Sequence, residues 1–286
     1  MTDGGGTEAG ALRARKTWRT LEPLHGMVYF VPEAAEAYAR LGIDRRAGYF
    51  SSRAAPMGAV AADVVVSTFF NFNPELVHAA IPGSWEVATP DQLVAARFSA
   101  VDAAFRRLLG DGAVGSDKMR RAARLARTAA EEAGRRPEGR PLAAAHADVA
   151  WPTEPHLQLW HAQSILREFR GDGHIALLVV HRLSGIESLV THAAAGDVPA
   201  HVLRSTRGWS EDEWDTAVGA LQGRGWLQMS EGLRFTEWGA AQRATIENAT
   251  DALAAAPYAA LGDEACTELR ALARPWSTAF AEQLPR

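Results

Sequence analysis

The chain has 286 residues and a formal net charge of -4 at pH 7, enough for one large or two ordinary domains with hydrophobic cores. That balance supplies neither the basic footprint of a nucleic-acid binder nor a polybasic membrane patch. A single cysteine, Cys266, excludes an internal disulfide framework and suits a reducing cytoplasm. No apolar run approaches the roughly eighteen residues of a membrane span and no leader pattern opens the chain, so a cytoplasmic protein without membrane contact is expected.

Residues 1–10 are Gly-rich and polar, with little to bury, and read as a disordered tail. Residues 11–21 predict a helix with Trp18 and Leu21 facing inward, which Pro23 interrupts by removing an amide donor. Pro32 and Glu33 open the next helix, which ends at Gly42. Residues 49–58 read as irregular. Residues 61–70 form an apolar helix or a buried strand, the run Val64-Val65-Val66 leaving both open. Asn73-Pro74 starts a short helix to Ala80, and Thr89-Pro90 caps a longer one whose stripe of Leu93, Phe98, Val101, Phe105 and Leu108 stops at Gly110. Residues 116–133 are polar and Arg-rich, fitting a surface helix or one lying against a partner. Gly134 to Arg140 is the best linker candidate.

In the second half, three helices are expected over 157–169, 173–183 and 186–195, separated at Gly171 and Gly185. Pro199 to Thr236 then reads as a winged helix-turn-helix unit. Ser210 with Glu213 is a capping box; Trp214, Val218 and Leu221 share one face, and Gly223 and Gly225 supply the stop. Residues 226–229 and 233–236 are strand-like runs joined by Ser230-Glu231-Gly232, a hairpin. Further helices follow over 239–254 and 263–272.

The fold class is therefore mainly α, with a C-terminal winged helix-turn-helix. Arg53 to Gly58 followed by residues 61–70 parallels Arg204 to Gly208 followed by residues 210–223, about half a chain apart. The N-terminal half is thus either a degenerate second copy or an unrelated helical bundle. The expected division is a tail over 1–10, an N-terminal helical domain over 11–133, a linker over 134–156 and a winged-helix domain over 157–286.

The run from Leu203 to Leu261, with its hairpin, Thr236-Glu237-Trp238-Gly239, Ile246-Glu247 and Thr250-Asp251, resembles the C-terminal part of MarR-type winged-helix regulators. The whole chain resembles an actinobacterial family labelled helix-turn-helix, through Leu21 to His25, Arg53 to Pro56, Leu159-Trp160 and Arg170 to His174. The resemblance implies a scaffold that holds a small aromatic ligand near its winged domain. The chain departs from the MarR pattern in being about twice as long and in its acidic recognition helix. Glu211, Asp212, Glu213 and Asp215 stand where phosphates would be met, which disfavours nucleic acid as a partner.

Glu22 and His25 form one Glu-x-x-His pair, and a second, needed for a di-iron bundle, is missing; no metal and no cofactor is expected. The alternatives are a buried histidine bonded to a carboxylate and an acid/base or ligand pair. Gly171 and Asp172 fit a helix stop and cap, placing His174 at a helix start where a neutral imidazole is favoured. The other histidines are scattered without metal spacing. Nine tryptophans form a core or line a pocket for flat ligands. The leading reading is a small-molecule-binding protein, a sensor, sequestering protein or biosynthetic accessory, with His25, Tyr29, Arg53, Trp160 and His174 as candidate ligand contacts and a small aromatic or natural-product-like molecule as partner. The alternatives are a transcriptional regulator touching DNA through Arg204, Arg207 and Arg224, and an enzyme with Glu22, His25 and His174 at the interface of two halves.

Overall fold

Local caps set many helix starts in the computed structural model, which describes residues 4–196, 198–230 and 232–284. Helix occupies 78% of the chain, and the only strands among the described residues form one hairpin, so the protein is mainly α as its periodicity requires. In chain order, α1 (Gly4–Gly26) leads through a 3-10 turn to α2 (Pro32–Ala39), α3 (Arg45–Ala54), α4 (Ala62–Thr68), α5 (Pro74–Ala80) and α6 (Gly83–Val87). Next come α7 (Pro90–Leu109), α8 (Asp111–Val114), α9 (Asp117–Gly134), α10 (Pro141–Asp148) and α11 (Pro155–Val180). The chain continues through α12 (Gly185–Ala195), α13 (Ala200–Arg207), α14 (Glu211–Gly223), β1 (Leu227–Ser230), β2 (Gly232–Phe235), α15 (Glu237–Leu253), α16 (Ala255–Leu261) and α17 (Asp263–Ala281).

The predicted caps are present where they are local. The Thr89 and Ser210 hydroxyls accept from the amides of Gln92 and Glu213, whose side chains reach back to the cap amides. β1 and β2 pair antiparallel, Leu227 opposite Phe235 and Met229 opposite Leu233; Glu231 of the expected turn lies outside the described residues. The Val64-Val66 run is helical, within α4.

Elsewhere tertiary packing overrides the local reading. Residues 49–58 hold the end of α3, which Asp44 caps by accepting from the amides of Arg46 and Ala47, and then a 3-10 turn. Pro23 does not interrupt α1, because Leu21, Leu24 and His25 on both sides of it are sealed in the core; α17 likewise runs past Pro275, between buried Ala273 and Trp276. α1 already starts at Gly4, inside the expected tail. The Arg-rich α9 is not a surface helix: Met119, Ala122, Ala123, Ala126, Ala129, Ala130 and Ala133 form a buried small-residue face against α11, where short side chains permit close helix approach.

The largest correction concerns α11, which is continuous over 26 residues through Gly171 and Gly173. Neither glycine is a stop. A side chain at Gly173 would crowd the guanidinium of Arg140, which donates to the Phe169 carbonyl and stacks 3.6 Å over the Phe169 ring. Asp172 is a cap, but for a different helix: its Oδ2 accepts from the amides of Leu142 (3.1 Å) and Ala143 (2.9 Å), the orphan donors at the start of α10. The segment expected to be a linker thus carries α10, with Leu142, Ala143 and His146 buried.

α11 is the spine of the molecule. Its first half, Leu157 to Phe169, belongs to the main core with α1, α2, α7, α9, α16 and α17. Leu178 near its end joins a second core formed by α12, α13, α14, the hairpin and Ile246 of α15. A third, smaller core gathers Phe50, Val65, Phe69, Phe72, Val77 and Ile81 from α3 to α5. The second and third cores meet at Gly185, where an added Cβ would overlap the Phe70 carbonyl oxygen. Helix propensity alone makes Gly185→Ala, at the first position of α12, stabilising by less than about 1 kcal/mol. The backbone contact predicts the opposite sign, a net loss of roughly 1–3 kcal/mol in urea unfolding; a variant as stable as the parent would show that the Phe70 loop is free to move away.

Candidate functional site

Read as one continuous helix, α11 places Arg167, Arg170, Gly171, His174, Ile175 and Leu178 at three- and four-residue spacings on one face. That face forms one wall of a cavity of about 300 Å³, at the lower end of the range for small-molecule sites. Facing it is the loop between α4 and α5, with Phe69, Phe70, Asn71 and Phe72, beside Tyr49 and Arg53 of α3. α1 contributes Trp18 and Glu22, four residues apart on one side of the helix. Glu247 of α15, His192 of α12 and Arg207 at the end of α13 complete the wall.

The floor is a chain of charges. Glu168, 2% exposed, accepts from Arg53 through Nε (2.9 Å) and Nη2 (2.7 Å), and from Arg167 Nη1 at 3.0 Å. Arg167 Nε continues to Glu22 Oε1 at 2.9 Å. Burial alone would raise the Glu168 carboxyl, but Arg53 and then Arg167 outweigh it and hold it well below the usual carboxylate range. On the α15 side, Arg170 donates to Asp251 at 2.7 Å and lies 3.6 Å from Glu247, with its guanidinium 4.4 Å over the Trp18 ring.

Arg207 differs from these. Its guanidinium stacks 4.5 Å over Phe72 and donates to the Thr206 hydroxyl at 3.1 Å. Its Nε is buried without a hydrogen-bond partner, and no acid among the described residues pairs with it. Burial pulls its pKa below the ordinary arginine value, and Arg53 and Arg167 add to that pull while Tyr49 opposes it. Arg53, Arg167, Arg170 and Arg207 thus face Glu22, Glu168 and Glu247 on the wall, a surplus of one positive charge.

His174 lies within α11 rather than at a helix start. Its pKa is lowered to about 4, first by burial, with Glu247 opposing and Arg243 and Arg170 adding to the fall. The Thr250 hydroxyl donates to the Ile246 carbonyl, so it accepts from His174 Nδ1 at 2.9 Å and leaves Nε2 as an acceptor.

Of the residues singled out from the sequence, Glu22, Arg53, His174 and Arg207 line this cavity; His25, Tyr29 and Trp160 do not. His25 is fully buried, stacked on Trp160 at 5.3 Å and edge-on to Tyr29 at 5.6 Å, with neither ring nitrogen bonded to protein. Glu22 does not orient His25, because its carboxylate goes to Arg167. Trp160 borders a separate void of about 20 Å³ with Arg97, His146 and His161. The acid/base constellation of Glu22, His25 and His174 is therefore not assembled. Arg204 and Arg224 are engaged by Glu211 (3.1 Å) and Glu187 (2.7 Å). Among the described residues no three His, Cys, Asp or Glu side chains are grouped to hold a metal.

Sequence reasoning missed Arg167, Glu168, Arg170 and the three phenylalanines. The spacing of 167, 170, 174 and 178 was the available signal, and reading a break at Gly171 concealed it.

These features define a helical protein with a charged, aromatic-walled cavity between an N-terminal helical core and a C-terminal unit of three helices and a hairpin. A family model described as the helix-turn-helix family HTH_67 matches residues 14–285, and the chain belongs to that family. No curated protein and no solved structure matches the chain.

Two stability predictions follow from the geometry. Glu168→Gln leaves buried Arg53 without a carboxylate and half-buried Arg167 with Glu22 alone, and should cost about 3–5 kcal/mol of unfolding free energy; a loss below about 1 kcal/mol would mean that Arg53 finds water instead. The second concerns pH. Burial holds His25 well below the ordinary value, His146 at about 3 and His161 at about 4. All three are neutral when folded, so their contribution is complete above about pH 6.5 and is lost as pH falls toward the folded values, by up to about 1.4 kcal/mol per unit for each. Asp172, pushed up to about 6 by burial, acts in the opposite sense between about 6 and its unfolded value. The net expectation is a urea midpoint that drops between pH 7 and pH 5; a flat or rising midpoint would contradict neutral buried imidazoles.

Proposed function

We propose that the protein binds a small molecule in the α11 cavity and reports its presence through a helix-turn-helix unit, as a sensor or sequestering protein. In this reading α12, α13, α14 and the hairpin are a winged helix-turn-helix of MarR-like design, with α14 in the recognition position. The observation that carries the proposal is the shared loop. Residues 69–72 line the cavity, and the same loop grips the turn between α13 and α14. Asn73 donates its amide to the Arg207 carbonyl at 2.9 Å and its side-chain Nδ2 to the Gly208 carbonyl at 3.1 Å. Trp209 Nε1 donates to the Asn71 carbonyl at 3.0 Å. A ligand that touches this loop touches the support of that turn. The aromatic wall suits a flat, natural-product-like molecule.

A DNA-binding regulator is the second reading, favoured by the family to which the chain belongs. The charges oppose it: Glu211, Asp212 and Glu213 are exposed in the first turn of α14, Arg204 and Arg224 are tied to carboxylates, and Arg207 faces the cavity. Affinity for DNA derives largely from phosphate neutralisation, which this surface does not supply. Titration of a library of planar compounds, followed by tryptophan emission, should give saturable changes from Trp18 and Trp209. Anisotropy with labelled promoter DNA should stay flat at about 50 mM salt. Binding to DNA with a steep salt dependence and no response to any compound would put the second reading first.

A further inference from the structure

Among the described residues, Arg207 alone of the four cavity arginines has no carboxylate partner. Arg53 and Arg167 share Glu168 and Glu22, and Arg170 has Asp251 and Glu247. Arg207 stands on the cavity wall with its Nε buried and unpartnered and one ring face of Phe72 against its guanidinium. A partly buried guanidinium without an anion has lost water that an incoming carboxylate replaces, and a forked guanidinium matches a carboxylate with two parallel hydrogen bonds. The Thr206 hydroxyl occupies Nη1, while Nε and Nη2, which share one edge of the fork, have no protein acceptor among the described residues; Nε is sealed from water, so a carboxylate meets Nη2 first and gains Nε on a small shift of the side chain.

We propose that the cavity's ligand is an organic anion, a carboxylate carried on a flat apolar body, and that Arg207 is the residue that anchors its acid group. The inference rests on the small-molecule reading above and sharpens it to a ligand class. An apolar body is favoured by the walls: the half-buried aromatic surface of Trp18, Tyr49 and Phe70 would remain wet around a bare inorganic anion and is covered by a flat apolar ligand. Glu168 and Glu22 do not repel such a ligand, because each is already committed to an arginine. Glu247, held by Arg243 at 2.9 Å and near Arg170, is likewise answered.

The test uses 2-naphthoate and its neutral isostere 2-naphthamide, titrated calorimetrically into the full chain. The wild type should hold the naphthoate at least about tenfold more tightly than the amide. Arg207→Met, which keeps the stem over Phe72 and removes the charge, should bring the naphthoate to the affinity of the amide and leave the amide unchanged. Arg207→Lys should retain part of the preference, since a point charge replaces a fork. Equal affinity of acid and amide in the wild type overturns the anion inference while leaving the binding reading intact, and that comparison needs no variant to fold. An equal loss for both probes in Arg207→Met overturns the anchoring role and assigns Arg207 to shape. Heat from neither probe at up to about 1 mM, with the protein folded by circular dichroism, overturns the binding reading itself.

Discussion

One buried carboxylate, Glu168, constrains the rest of the site. An ionised group at 2% exposure requires its charge to be answered on the spot, and the answers come from Arg53 of α3 and from Arg167, the preceding residue of α11 itself. Arg167 then needs Glu22, which draws α1 to the same place. Three elements far apart in sequence are thereby fixed around one point. Such networks add little net stability compared with apolar packing, but their geometry is demanding. Here the geometry sets the spacing between the α11 face and α3, and the cavity is the space that remains between them.

The cavity wall opposite the charge chain is mechanical in a different way. Asn71 to Asn73 contribute both ring surface to the cavity and hydrogen bonds to the α13–α14 turn. The loop lies flush with the C-terminal unit because glycines remove the obstructing atoms. At Gly185 a Cβ would overlap the Phe70 backbone. Gly208, at φ +74, adopts a conformation that favours glycine and sits against the side chain of Leu76. Two cores thus meet through backbone contacts, with few intervening side chains to absorb a displacement. In the proposed sensing reading, a shift of the loop would be passed to α13, and through Ser210 to the start of α14.

Features set by neighbouring residues were legible in the sequence. The cap at Thr89, the capping box at Ser210, the hairpin, the extent of α5 and the mainly α character all follow from interactions within a few residues. Features set by distant partners were not. Asp172 reads as a cap, which it is, but its helix lies some thirty residues earlier. Gly171 reads as a stop and Gly173 as the start of a new helix, while α11 runs through both and Gly173 makes room for the Arg140 guanidinium. Pro23 and Pro275 lose an amide donor each, yet both helices continue because burial on either side outweighs the loss. Arg53 and His174, conspicuous in the sequence for their motifs, do line the cavity. Glu168 and Arg207 gain their meaning only from which charges face them: the first is answered twice, and the second is not answered by any acid among the described residues. His25 and Trp160 are chemically conspicuous, yet they form a stacked pair behind the site.

The central claim is that occupancy of the cavity and the hold on the α13–α14 turn are one event, because the same loop serves both. Amide hydrogen exchange measured with and without saturating 2-naphthoate tests it most directly. Slower exchange is expected both in residues 69–72, which touch the ligand, and in residues 204–210, which do not all touch it but depend on the loop. Protection confined to the cavity wall, with exchange across the α13–α14 turn unchanged, would contradict it.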